Sequence, residues 1–269
     1  MEERWARLSA GKMRYLAGGE GHPLVLVHGI AASSFSFRLN CEELARHFRV
    51  FVPDFLAITS AASLPASLAA NALRLKEFLD SVGIDKGHIL GSSYGGAVVM
   101  ELASLAMDRF TTMVLVSPAN PFARRYHRVV RFYLSPLGGA FIRVVPYLPG
   151  WAWDYGIGRM YSDPSTMSAN TGRGYAQPLR IAGMPRRILA ALGTFTADVE
   201  ALRARLTGLA SIPSLIIWGN RDPVVELESA YPLQEQLRAR LVVMNGIGHL
   251  PYEERPPEFN EILRDFLLT

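Results

Sequence analysis

The chain is predicted to fold as an α/β protein around a mostly parallel sheet, and three observations predict it. Short unbroken apolar runs recur towards both ends, among them Leu24-Val25-Leu26-Val27, Met113-Val114-Leu115-Val116 and Ser214-Leu215-Ile216-Ile217-Trp218. Such runs mark strands buried on both faces, the condition inside a parallel sheet covered by helices. Segments of helical spacing separate the runs, as crossover connections between parallel strands require. The alternation stops at Pro118 and resumes at Ser214, which points to an insertion.

Taken in order, Met13-Arg14-Tyr15-Leu16 closes an N-terminal hairpin, and 24–27 and Val50-Phe51-Val52 follow as strands. Helical spacing appears over 42–48 and 68–82, with the 113–116 strand beyond. The next stretch is rich in Pro, Gly and aromatics, as in Tyr147-Leu148-Pro149-Gly150-Trp151-Ala152-Trp153, before a helical pattern returns over 190–209. The strand at 214–218, a helix over 226–237, the strand Leu241-Val242-Val243-Met244 and a helix over 256–268 complete the chain. Prolines in the first turn of that last helix cost little, because those N–H groups have no intrahelical partner. The expected division is a sheet domain of 1–119 and 206–269 with a helical cap over 120–205.

With 269 residues, 49% hydrophobic and 19% charged, the chain can bury a full core. A single cysteine, Cys41, excludes an intramolecular disulfide and a Cys-rich metal site. The start Met1-Glu2-Glu3-Arg4-Trp5 has no apolar signal region, and no run approaches the ~20 residues of a membrane span. A cytoplasmic protein is expected. The net charge is +4, unevenly spread: 120–205 holds twelve arginines and four acids, a net +8, leaving −4 elsewhere. Arg124, Arg128 and Arg131 recur at helical spacing. A solvated face is the plain account, and contact with an anionic membrane surface or an acidic substrate tail the sharper one. No nucleic-acid motif accompanies the charge, so no nucleic-acid partner is expected.

The most informative stretch is Gly91-Ser92-Ser93-Tyr94-Gly95, between the apolar His88-Ile89-Leu90 and the helix-like Gly96-Ala97-Val98-Val99. A small-residue turn from buried strand to helix holds a serine hydroxyl clear of the wall, and the helix start leaves free N–H groups beside it. Two distant segments, Trp218-Gly219-Asn220-Arg221-Asp222-Pro223 and Gly246-Ile247-Gly248-His249-Leu250, also follow strands. Ligands in open α/β sheets bind at such carboxyl ends. A serine hydroxyl needs a base in reach, an imidazole serves as base then acid, and a carboxylate fixes the imidazole tautomer. Ser93 is thus the expected nucleophile, His249 the general base and Asp222 its orienter. The segment His28-Gly29-Ile30-Ala31-Ala32 follows the 24–27 strand. There the N–H of Ile30, with Ala31 as second choice, is expected to join that of Tyr94 in an oxyanion hole. His28 and Asp54 are expected to order loops.

These segments, with Pro53-Asp54, resemble the α/β-hydrolase family over nearly the whole chain, as a serine esterase or lipase-like member. The resemblance implies an eight-stranded sheet with a helical cap after the sixth strand. Two departures stand out. Relatives carry Pro-Gly after the Asp54 equivalent, whereas this chain has Phe55-Leu56-Ala57-Ile58-Thr59-Ser60, so that turn is expected to be rebuilt. Relatives that cleave C–C bonds often carry Trp after the histidine, where this chain has Leu250. Epoxide hydrolases and haloalkane dehalogenases use Asp at the nucleophile, against which Ser93 argues.

The expected activity is a cofactor-independent, metal-free carboxylesterase acting on a small-molecule ester with an apolar portion. Thioesterase, lactonase, C–C hydrolase or perhydrolase chemistry on the same three groups is the alternative. A small-molecule receptor on a hydrolase scaffold is the second. Phe132, Tyr133, Trp151, Trp153 and Tyr155 are expected mostly to hold the insertion together, some lining an apolar acyl pocket.

Overall fold

A computed structural model describes residues 1–58 and 65–269. Eight strands run β1 (Glu2–Leu8), β2 (Gly11–Gly18), β3 (Pro23–Val27), β4 (Arg49–Ile58), β5 (Gly87–Ser92), β6 (Phe110–Val116), β7 (Ser214–Gly219) and β8 (Arg240–Met244). They form one sheet in the order β1-β2-β4-β3-β5-β6-β7-β8. β1 and β2 form the expected N-terminal hairpin, β2 is antiparallel to β4, and every later pairing is parallel.

Helices interleave with the strands: α1 (Cys41–Leu44), α2 (Leu68–Ser81), α3 (Tyr94–Leu105), α4 (Tyr126–Leu134), α5 (Pro136–Val144), α6 (Gly150–Gly158), α7 (Thr171–Leu179), α8 (Met184–Arg203), α9 (Ala230–Leu237), α10 (Pro251–Glu254) and α11 (Pro256–Leu267). The strand pleat divides the core in two. Val25, Val27, Ile216 and Trp218 face one layer with Leu75, Phe78 and Met100 of α2 and α3. Leu24, Leu26, Leu215 and Ile217 face the other, with Leu44 of α1 and Phe259 and Leu263 of α11. The unbroken apolar runs thus arise because both faces of each strand are covered.

Three elements differ from the sequence expectation. The 42–48 helix is a single turn, α1, and the 190–209 pattern belongs to a longer helix shifted to Met184–Arg203. The strand at 50–52 extends to Ile58, where it pairs back to Met13 of β2. Phe55 and Leu56 are buried strand residues, so strand replaces turn on the described side of the 55–60 segment, while Thr59 and Ser60 lie outside the described residues.

The five helices α4–α8 lie between β6 and β7, and no strand occurs there among the described residues. α8 is anchored at both ends, to β4 near its start and to α3 just past its end. Near its start, the Arg187 guanidinium donates to the carbonyls of Leu56 at 3.0 Å and Ile58 at 2.6 Å, satisfying backbone at the end of β4. Just past its end, Arg205 grips Glu101 of α3 with two hydrogen bonds, 2.8 and 2.6 Å. The Glu101 side chain is 3% exposed, so this fork compensates a desolvated carboxylate.

Candidate functional site

Ser93 stands between β5 and α3 with φ +52° and ψ −121°, a conformation costly for any residue with a Cβ. Its backbone is held from three sides. Its N–H donates to Val116 O at 3.0 Å, and its carbonyl accepts from Gly96 N and Ala119 N, both 3.0 Å. Gly95 is required by close approach: a Cβ there would lie 2.6 Å from Val27 O and nearer still to His28 O. Among the described residues Ser93 Oγ makes no hydrogen bond, and the side chain is partly open.

The expected acid and base are directly joined. His249 Nδ1 and Asp222 Oδ2 are 2.8 Å apart in a pair buried from solvent. The other carboxylate oxygen, Oδ1, accepts the N–H groups of Val224 at 2.8 Å and Val225 at 3.0 Å. The Asp-Pro turn thus serves the carboxylate: the residues after Pro223 aim their amides back at it. With Nδ1 on the carboxylate, the imidazole has Nε2 left to exchange a proton. Ser93 and His249 share no hydrogen bond in this conformation. Their segments meet one step away, where Ser92 Oγ donates to Tyr252 Oη at 3.3 Å, three residues past His249.

The 28–32 segment lies against this turn. A Cβ on Gly29 would stand 3.4 Å from Ser93 Cβ and 3.8 Å from its Oγ. Ile30 N–H meets no protein acceptor among the described residues, and Tyr94, first residue of α3, has no i−4 carbonyl to bond. Ala31 takes φ +57°. His28 is fully buried, its Nδ1 2.8 Å from Gly29 O and its Nε2 without a partner. Burial holds its imidazole below the ordinary pKa, hence neutral at pH 7. Asp54 orders the loop beyond, accepting from Ser34 N and Arg14 Nη1, both at 2.6 Å. The Tyr94 ring points away from the site, between Phe55 and Phe195 of α8. Burial raises its phenol well above the ordinary value, and Asn71 Nδ2 bonds Oη at 2.9 Å.

Sequence reasoning missed the residues that clamp the histidine loop. Met160 O accepts the His249 N–H at 2.8 Å, and Glu254 accepts from Gly248 N at 2.8 Å and Ser162 N at 2.9 Å. Burial raises the Glu254 pKa despite those donors. Beside it, Glu253 has a side chain sealed from solvent. It accepts from Arg38 Nη2 at 2.8 Å, from Tyr161 Oη at 2.6 Å and from Tyr175 Oη. Burial pushes both phenols well up, so they keep their protons and donate. The trace in the sequence is the adjacent pair Glu253-Glu254, four residues past His249, which needs polar partners once buried.

The aromatic expectation is half met. Tyr133 and Trp153 are half-buried, and Trp153 Nε1 donates to Val145 O at 2.9 Å. Phe132, Trp151 and Tyr155 face solvent, at 48, 74 and 67% exposure. Arg124 precedes α4, so only Arg128 and Arg131 share that helix.

Comparison with known proteins agrees with this architecture. The model of the "Alpha/beta hydrolase family" matches residues 24–262. Lipase 3 of Moraxella sp. (strain TA144) is 26% identical over 258 residues, covering 91% of this chain and 78% of that protein. Haloalkane dehalogenase 2 of Mycobacterium tuberculosis (strain ATCC 25618 / H37Rv) is 27% identical over 246 residues, 86% of this chain and 82% of the relative. The solved structure of the meta-cleavage product hydrolase CumD of Pseudomonas fluorescens IP01 superposes with a TM-score of 0.81 at 22% identity, covering 98% of this chain and 96% of that one. Eight strands in this order, a strained serine between strand and helix, and the match over 24–262 lead to one conclusion: the chain belongs to the α/β-hydrolase family.

Proposed function

We propose that the protein is a serine hydrolase that cleaves carboxylic esters with an apolar portion, using Ser93, His249 and Asp222. One observation carries the reading: the buried 2.8 Å pair of His249 and Asp222, at the same sheet end as a serine held at φ +52°. In this reading Ser93 Oγ attacks the ester carbonyl as its proton passes to His249 Nε2, and the Tyr94 and Ile30 N–H groups hold the oxyanion. His249 then protonates the departing alcohol, leaving an acyl-enzyme. A water that gives its proton to His249 cleaves that ester, releasing acid and free Ser93. The serine at this turn favours acyl transfer over the halide displacement named for one relative.

Residues 120–205 act here as a cap over the core of 1–119 and 206–269. Support comes from the Met160–His249 hydrogen bond and from Phe195 of α8 against Tyr94. Apolar Ile30 and Ala31, partly open, favour an apolar substrate portion. The cytoplasm is the compartment we assign, which suits a chain with a single, buried cysteine and hence no intramolecular disulfide. Among the described residues, no helix is long and apolar enough to cross a membrane.

Labelling with a fluorophosphonate, mapped by peptide mass, tests the reading. An adduct on Ser93 is expected, together with a loss of about 10³-fold or more in ester turnover on Ser93→Ala. No adduct, or an adduct on another serine, overturns it. A panel of esters, thioesters, lactones and diketones then separates the acyl chemistries.

A further inference from the structure

Ten of the seventeen large hydrophobic side chains exposed among the described residues lie between Val129 and Ile181. They are not scattered. On α5, Leu137, Phe141 and Val144 follow at four- and three-residue steps, one helical face, with Leu137 at 79% exposure, while Gly138 and Ile142 point inward. On α6, Trp151 and Tyr155 repeat the four-residue step outward, at 74 and 67%.

The pieces adjoin. Phe132 of α4 meets Phe141 of α5 with ring centroids 6.2 Å apart. Trp153 Nε1 bonds Val145 O, and Arg180 Nε bonds Pro146 O at 2.9 Å, drawing α6 and the end of α7 against the turn after α5. The α4–α5 turn is tightly built: Ser135 caps α5 through Gly138 N at 3.2 Å, and a Cβ on Gly138 would lie 2.6 Å from Phe132 C.

Charge identifies the occupant. Residues 121–160 carry six arginines and one acid, Asp154, whose carboxylate is engaged by Gly172 N at 2.9 Å. Arg128 and Arg131, both exposed, have no carboxylate partner among the described residues, on the helix that also presents Val129 and Phe132. A protein groove would meet the apolar stripe but has no general reason to match unpaired arginines beside it. A bilayer bearing anionic headgroups meets both: acyl chains receive the apolar side chains and headgroups receive the guanidinium groups. We propose that the outer face of α4, α5 and α6 docks the protein onto anionic lipid bilayers, with Leu137, Phe141 and Val144 entering the interface. This stands apart from the ester-hydrolase reading and needs none of its residues.

Flotation with vesicles of phosphatidylcholine, with and without about 30% phosphatidylglycerol, tests it on the full chain. The wild-type protein is expected to float with the anionic vesicles and to be released by salt. The variant Leu137→Asp/Val144→Asp should lose binding by tenfold or more, and Arg128→Gln/Arg131→Gln by on the order of tenfold. Turnover of a short-chain soluble ester and the thermal melt should not change, which separates loss of docking from misfolding and from failure of the ester reading. If the aspartate variant does not fold, Trp151→Gln/Tyr155→Gln replaces it. Absence of flotation by the wild type overturns the proposal. So do variants that float like wild type, and so does a dimer, seen by light scattering and broken by the same variants, with no vesicle binding.

Discussion

Asp222 divides its carboxylate between His249 and its own turn, with Oδ2 2.8 Å from the ring and Oδ1 taken by the Val224 and Val225 amides. Because the turn fixes Oδ1, the other oxygen has one direction to offer. Asp222→Asn preserves the shape but presents an N–H or a weaker acceptor to Nδ1. Ester turnover should fall by about 10³- to 10⁴-fold with little change in the melt. Turnover within tenfold of wild type would remove Asp222 from the proposed machinery.

Gly95→Ala should damage both fold and activity. The new methyl meets two backbone carbonyls, which cannot rotate away as side-chain tips can. The 28–32 segment must move from Ser93, so kcat/KM should drop at least tenfold and stability by about 1–3 kcal/mol in urea titrations. Gly139→Ala, where a Cβ meets only Tyr133 O at 3.8 Å, serves as the benign control.

Arg205→Met leaves the Glu101 carboxylate buried on α3 without its fork. Breaking such a pair costs about 3–5 kcal/mol, less whatever solvent reaches the partly open Arg205 side. Replacing both, as Glu101→Leu/Arg205→Met, should recover much of the loss. A double variant no better than the single would show that the pair has no such energetic coupling.

Tyr175→Phe removes one donor from sealed Glu253. The expected loss is about 1.5–3 kcal/mol, as for a hydrogen bond to a charged group. Hydrogen exchange should quicken in α7 more than in β5 or β6, since α7 is the element that Tyr175 ties down. Uniform acceleration across the chain would argue against that local role.

His88 governs part of the acid response. Burial, and after it the neighbouring His22, holds its pKa down to about 4 from 6.5. The unfolded chain therefore takes the proton first as pH falls. The stability involved is complete above about 6.5 and drains as pH drops through about 4, amounting to roughly 2–3 kcal/mol. His88→Asn, able to keep the Thr112 Oγ1 contact made at 2.8 Å, should flatten the fall in urea midpoint between pH 6.5 and 4.

The sheet was legible because its strands are buried on both faces, so that Leu24, Val25, Leu26 and Val27 all had to be apolar. The candidate site was legible because its residue types are chemically constrained and follow strands in order. Two kinds of feature were hidden. Glu253 depends on Arg38, 215 residues away, and no local pattern encodes such a pairing. The outward stance of Phe132, Trp151 and Tyr155 was hidden too, since large aromatics default to the interior and only packing reveals which side a short helix turns to the core. The extension of β4 was written in the apolar run 55–58, which suits a strand as well as a rebuilt turn.

The two arginine anchors of α8 have a consequence for recombining this chain with its relatives. Arg187 fastens that helix to the last carbonyls of β4, and Arg205 fastens the strand of chain leaving it to α3. Helices α4 to α7 are attached by other contacts, among them those of Met160, Tyr161, Ser162 and Tyr175 with the His249 loop and α10. A hybrid that exchanges residues 126–179 while leaving α8 native therefore inherits both fasteners, whereas one cut at 205 forfeits Arg187 and strands Glu101. The first splice keeps α8 seated, provided that Met160, Tyr161, Ser162 and Tyr175, which hold the His249 loop and Glu253, are retained in the exchanged segment.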